Sequence, residues 1–180
     1  SVANAESMAK CAEIIAKAVS RDRTIVVASA IYGFTDALIK VGNLAASRDE
    51  SYKDILDEFK NKHYEIIRTL LPIEKHEESL ESCDEIFDLL NSLAKGVFLL
   101  GELSQTSLDA IQGCGELVSS RILATKMASI GIPTKWVDSR EIIRTHSDKA
   151  KNVVDTALTY ANVNKLIESN PIKTLFIAPG

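Results

Sequence analysis

Three short apolar runs constrain this chain more than any other feature. They occupy residues 24–30, 134–137 and 175–177, and the first is almost continuously apolar and rich in β-branched side chains. A run of that kind suits a strand buried on both faces, the usual condition of a parallel sheet. The stretches between the runs are much longer, and their apolar residues recur every three to four positions, the helical period. Strand segments alternating with helices predict an α/β fold: a three-layer α/β/α arrangement around an open, mostly parallel sheet.

The helical stretches can be placed by their apolar stripes and stop signals. Met8, Cys11, Ile14, Ile15, Ala18 and Val19 mark a first helix, capped by Asn4 or Ser1, with Glu6 favourably near its start. A turn at Tyr32-Gly33 leads to a second helix from about Thr35-Asp36 through Leu38, Val41 and Leu44. Tyr52, Ile55, Leu56, Phe59, His63, Ile66, Ile67 and Leu70 then form one face of a long amphipathic helix that Pro72 ends. Leu80, Cys83, Ile86, Phe87, Leu90 and Leu93 form the face of a second. This pair, about residues 49–100, reads as a helical hairpin inserted into the α/β domain. Gly113-Cys114-Gly115 reads as a turn, and the next helix is expected from Glu116 to about residue 130, where Gly131-Ile132-Pro133 stops it. The last helix is expected over residues 153–167, with an interruption at Asn162 or Asn164. No linker divides the chain, so residues 1–180 count as one domain. The chain closes on a strand and a turn, a poor end for a domain, and reads as part of something longer.

Composition narrows the function classes. The net charge is −4 and the pI about 5.4, which disfavours a nucleic-acid surface or an anionic-membrane binder. No apolar run approaches a membrane span, and no secretory signal pattern opens the chain. Cys11, Cys83 and Cys114 are odd in number, far apart and in no ligand spacing, as expected of a reduced, cytoplasmic protein. Neither CxxC nor HxxxH occurs, so no metal site is expected.

In open α/β sheets ligands sit beyond the carboxyl ends of the strands. Ser29-Ala30-Ile31-Tyr32-Gly33-Phe34-Thr35-Asp36 follows the first strand, and the free amides of the helix that begins there favour an anion. Taken alone, Ser29 and Thr35 read as turn and cap residues. Glu116, expected to open its helix, can face a substrate ammonium group, or simply complement the helix dipole. Asp138-Ser139-Arg140 and Arg144 follow the second strand, and a structural ion pair is their first reading. His63 reads as a packed histidine, His76 as solvated and His146 as a loop residue. Cys114 lacks a histidine partner that would make it a nucleophile.

In order, these segments resemble aspartate kinase, of the amino-acid kinase superfamily. Ser1-Val2 is similar to the end of that family's opening Lys-Phe-Gly-Gly-Thr-Ser-Val motif. Val26-Val27-Ala28-Ser29-Ala30 with Thr35-Asp36 resembles its Val-Val-Ser-Ala…Thr-Asp segment. Gly115-Glu116-Leu117-Val118-Ser119 resembles its Gly-Glu…Ser motif, and Asp138-Ser139-Arg140 with Arg144-Thr145 its Asp-x-Arg…Thr segment. The helical insert resembles the longer branch of the family.

The resemblance implies ATP-dependent, magnesium-requiring phosphorylation of the side-chain carboxylate of L-aspartate, the first step toward lysine, threonine and methionine. It assigns Thr35 to a substrate carboxylate, Glu116 to the ammonium group and Ser29 to the same pocket. No catalytic residue is expected within the chain, since the family's lysine would precede Ser1. The segments that hold ATP would follow Gly180, and the parent is expected to be a homo-oligomer. Alternatives are another amino-acid or carbamate kinase, a non-catalytic ligand-binding module, and a helical scaffold.

Overall fold

In the computed structural model, which describes residues 3–148 and 151–180, the three apolar runs become β1 (Ile25–Ala28), β2 (Thr134–Trp136) and β5 (Leu175–Pro179). They form one sheet in the order β1-β5-β2, parallel throughout, with Val26 opposite Ile177 and Trp136 also opposite Ile177. The remaining elements are α1 (Ala5–Val19), α2 (Phe34–Ala46), α3 (Tyr52–Leu70), a 3-10 turn (Ile73–Lys75), α4 (His76–Leu100), α5 (Gln105–Ser129), the short α6 (Ser139–Ile142), β3 (Thr145–Asp148), β4 (Lys151–Val154) and α7 (Thr156–Glu168). The chain is an α/β protein with helices on both faces of a parallel sheet. Ser1 and the Ser1-Val2 segment lie outside the described residues.

Side-chain alternation along the strands sets the layers. Leu175 and Ile177 join the main core, together with Val26 and Ala28 of β1, and face α5. Phe176 and Ala178 point the other way, toward α6 and α7. That second layer is thin. α7 buries none of its residues, and an apolar cavity of about 200 Å³ remains between it and the sheet. Ile25 and Val27 are consequently 50% and 67% exposed, so β1 is an edge strand with one open face rather than the doubly buried strand its composition suggests.

Local signals explain the helix boundaries. Asn4, not Ser1, caps α1: its side chain accepts from Ser7 N at 2.9 Å, while Ser7 Oγ accepts from Asn4 N at 3.0 Å. Asp155 caps α7 by accepting from Leu158 N, and α7 runs unbroken past Asn162, whose amide donates to Ile142 O at 2.9 Å. Val153 and Val154 therefore lie in β4, not in that helix, and β3 and β4 form an antiparallel hairpin where the sequence suggests loop then helix. His146 sits in β3. Among the described residues no helix is long and apolar enough to cross a membrane.

The helical pair α3–α4 is not a separate lobe. Phe59, Ile66 and Ile67 of α3 and Ile86, Phe87 and Leu90 of α4 share one core with α1, α2, α5 and β5. Arg121 of α5 ties α4 down: its Nη1 donates to Ser82 O at 2.8 Å and reaches Glu85 at 3.1 Å, while its guanidinium lies 4.6 Å from the Trp136 ring. His76 is not simply solvated, since its Nε2 donates to Leu71 O at 3.0 Å.

His63 is packed, as its place on the apolar face implies. It is fully buried among Phe34, Phe59 and Phe87, and burial pulls its pKa down to about 4 from an ordinary 6.5. The unfolded chain therefore binds a proton between these values that the folded chain refuses. Stability should be complete above about pH 6.5 and fall as the pH drops toward 4, by roughly 3 kcal/mol from this residue. Urea denaturation across that range should show a markedly shallower decline in His63→Phe. An identical pH slope in the two proteins would contradict a neutral, buried His63.

Candidate functional site

The carboxyl ends of β1, β5 and β2 converge beneath α5. Gly180 N donates to Ala28 O at 3.0 Å, joining the ends of β5 and β1. Ser119 Oγ of α5 donates to Ser29 O at 2.8 Å, and Trp136 Nε1 donates to Ser120 Oγ at 2.9 Å. Two adjacent serines of one helix thus anchor the exits of two strands, and both are buried.

α5 runs straight through the segment expected to be a glycine turn. Gly113, Cys114 and Gly115 are all helical, and Glu116 lies in the middle of α5 rather than at its start. The glycines therefore do not form a ligand loop. Gly115 serves a different purpose: a Cβ there would meet Ala30 Cβ at 3.0 Å and Leu38 Cδ1 at 3.3 Å. Its missing side chain lets α5 approach the β1–α2 connection. Cys114 is buried, and burial pushes its thiol pKa up to about 11, which removes the thiolate a nucleophile needs.

Seated mid-helix, Glu116 is too far from the N-terminus to serve the helix dipole, whose effect fades within a turn. Its half-buried carboxylate has no hydrogen-bond or ion-pair partner among the described residues, and desolvation raises its pKa. It borders a recess of about 70 Å³ with Gly113, Ser139, Arg140 and Gly180, and a side chain at Gly180 would come within 3.4 Å of Glu116 Oε1. A desolvated, unpartnered carboxylate at the strand ends is a ready partner for a cation.

Arg140 shares that recess, which sequence reasoning did not foresee. Its guanidinium is held by Asp138, with Nη2 to Oδ2 at 2.6 Å and Nε to Oδ1 at 2.9 Å, the ion pair expected from the sequence. Arg140 in turn holds the Asp138 carboxyl below its ordinary range. The only advance signal was position, since Arg140 follows the end of β2. Arg144 lies apart, its backbone amide donating to Thr159 Oγ1 at 3.0 Å.

Ser29 lies in the β1–α2 connection and Thr35 in the first turn of α2, and neither lines the recess. Ser29 is exposed, its carbonyl taken by Ser119. Thr35 is exposed in the first turn of α2, where unpaired helix amides favour an anion. Among the described residues no group of three or more His, Cys, Asp or Glu side chains is gathered where it could hold a metal ion.

The sequence model of the amino acid kinase family matches residues 1–179. The chain belongs to the amino acid kinase family. Among its relatives, the bifunctional aspartokinase/homoserine dehydrogenase 2 (chloroplastic) of Arabidopsis thaliana is 28% identical over 180 residues, covering 99% of this chain and 19% of the relative. Aspartokinase 3 (chloroplastic) of the same plant is 29% identical over 189 residues, covering all of this chain and 33% of the relative. The crystal structure of E. coli aspartokinase III in complex with aspartate and ADP superposes with a TM-score of 0.79 at 21% identity, over 99% of this chain and 38% of that one. The chain thus spans between about a fifth and two-fifths of these proteins, and its fold is that of the aspartokinase.

The close approach at Gly115 can be checked directly. Gly115→Val should lower stability by about 1–3 kcal/mol, because the Ala30 methyl is fixed to backbone and cannot swing aside. Gly113→Ala, where an added Cβ meets nothing within 4 Å, should be neutral or stabilising by about 0.5–1 kcal/mol. Equal effects in urea denaturation would mean that α5 does not lean on the β1–α2 connection.

Proposed function

We propose that this chain is the amino-acid-binding part of an aspartate kinase, the enzyme that transfers the γ-phosphoryl group of ATP to the side-chain carboxylate of L-aspartate, giving 4-phospho-L-aspartate. The observation that carries the reading is the unpartnered Glu116 carboxylate at the strand ends. In this reading it accepts the substrate ammonium group. Arg140, oriented by Asp138, and the first turn of α2 at Thr35 supply positive potential for the two carboxylates. A carbamate acceptor has no ammonium group and would leave Glu116 unpaired, which favours an amino acid. Likeness to aspartokinases in sequence and fold supports the choice of aspartate.

Phosphoryl transfer asks the protein mainly for positioning and charge stabilisation. In the proposed reaction an oxygen of the substrate's side-chain carboxylate attacks the γ-phosphorus, and ADP leaves with the bonding electron pair. This chain's residues would hold the acceptor in place at both ends. ATP and magnesium would be held by other parts of a longer protein. The reduced compartment expected from three free cysteines suits the cytosol or a plastid interior equally.

Calorimetry with L-aspartate on the full-length protein should give binding that Glu116→Gln weakens about 10- to 100-fold, the worth of a charge-assisted hydrogen bond. Thr35→Ala should weaken it about fivefold. Binding needs the Glu116 anion. Affinity should therefore decline on acidification from a pH above the ordinary glutamate value, because burial raises this carboxyl's pKa. The isolated 180-residue chain should show no ATP-dependent phosphorylation of aspartate. Unchanged affinity in Glu116→Gln would remove the basis of the proposal.

A further inference from the structure

The aromatic cluster between the middles of α3 and α4 includes Phe34, the residue before Thr35. α2 starts at Phe34, directly after Gly33 at φ 86°, and no side chain caps it. No side-chain cap therefore helps to set the direction of this first turn, which is closed by the backbone bond from Phe34 N to Ile31 O at 3.1 Å. The Phe34 ring adds a side-chain constraint. It stands edge-on to Phe59 at 5.0 Å and tilted against His63 at 5.1 Å, while Phe59 and His63 lie 4.3 Å apart.

Packing alone does not account for a histidine at this position. Its Nδ1 donates to Phe59 O at 2.7 Å, so the proton is on Nδ1 and Nε2 is a bare acceptor. That Nε2 is fully buried and has no partner. Leucine or phenylalanine would fill the space without an unsatisfied nitrogen. What the imidazole adds is a locked orientation, since the bond to Phe59 O fixes the ring plane. Charges do not compete there. Burial and the Phe59 carbonyl are the influences on the ring, and neighbouring charges on the hairpin, Lys60 and Asp84, pair with each other at 2.9 Å.

We propose that His63 is a positioning residue for amino-acid binding: its locked imidazole braces Phe34 and so fixes the Thr35 turn of α2 relative to Glu116. The inserted hairpin is then part of the substrate-binding apparatus, though it touches no substrate. The inference rests on the reading of Thr35 as a substrate-binding residue, and the test separates the two.

Steady-state kinetics of the full-length protein supply that test. His63→Leu should raise KM for L-aspartate about three- to fivefold, no more than Thr35→Ala does, with kcat and KM for ATP changed by less than about twofold. On a Thr35→Ala background it should add nothing further, because the group it positions is gone. Tyr64→Phe, on the same hairpin but away from Phe34, should leave the aspartate KM unchanged. If His63→Leu fails to fold, Phe34→Leu makes the same comparison and should behave the same way. Additive effects with Thr35→Ala, a matching rise in KM for ATP, or an unchanged aspartate KM would overturn the positioning role and leave the substrate site intact. An unaltered aspartate KM in Thr35→Ala alone would overturn the substrate reading of Thr35, and this inference with it.

Discussion

The approach of α5 to the β1–α2 connection is the contact on which the site depends. It exists because Gly115 has no side chain to hold it away from Ala30 and Leu38. Once the helix is that close, Ser119 reaches Ser29 O and Ser120 reaches the Trp136 indole. Glu116, next to Gly115, is carried into the space beyond the strand ends, where it loses water without gaining a partner. One absent methyl group thus links helix packing to the electrostatics of the recess. A helix set a little farther out would leave the same glutamate hydrated and ordinary.

The hairpin supports this arrangement from behind at two points. Through Phe59 and His63 it meets Phe34 at the head of α2. Through Ser82 and Glu85 it holds Arg121, which stacks on Trp136 and adds its charge to the field that keeps Asp138 ionised. These two contacts reach the segments that follow β1 and β2, both of which carry candidate binding residues. The opposite face of the sheet contrasts sharply: α7 covers it thinly, leaving an apolar cavity and an exposed edge at Ile25 and Val27. The buried core lies on the α5 side, which also carries Glu116.

Much of this was readable in residue order. The short apolar runs named all three strands of the parallel sheet, and the stripe from Tyr52 to Leu70 with Pro72 behind it marked α3 and its end. Both are local signals, a period of apolar residues and a backbone stop, and tertiary packing did not override them. The Gly113-Cys114-Gly115 segment misled because glycine is a weak helix former in isolation, and a propensity of about 1 kcal/mol is easily outweighed by the burial of Cys114, Gly115 and the α5 residues that follow. The β3–β4 hairpin was missed because residues 145–154 carry little apolar alternation, and among the described residues its strands pair only with each other. The open face of β1 was invisible for another reason: composition reports what a strand can bury, not what is present to cover it.

The sequence by itself determined the α/β class, the family, the two long helices α3 and α4, and the identity of Glu116, Thr35 and Ser29 as residues to watch. These follow from side-chain type and spacing, which chain order preserves. Only the tertiary structure decided that Glu116 lies in mid-helix without a partner among the described residues, that Arg140 shares its recess, that Thr35 and Ser29 do not line it, and that His63 packs against Phe34, the residue before Thr35. Each depends on distances between segments far apart in the chain. The desolvation that makes a carboxylate or an imidazole unusual is a property of what surrounds it in space, and no local pattern records that.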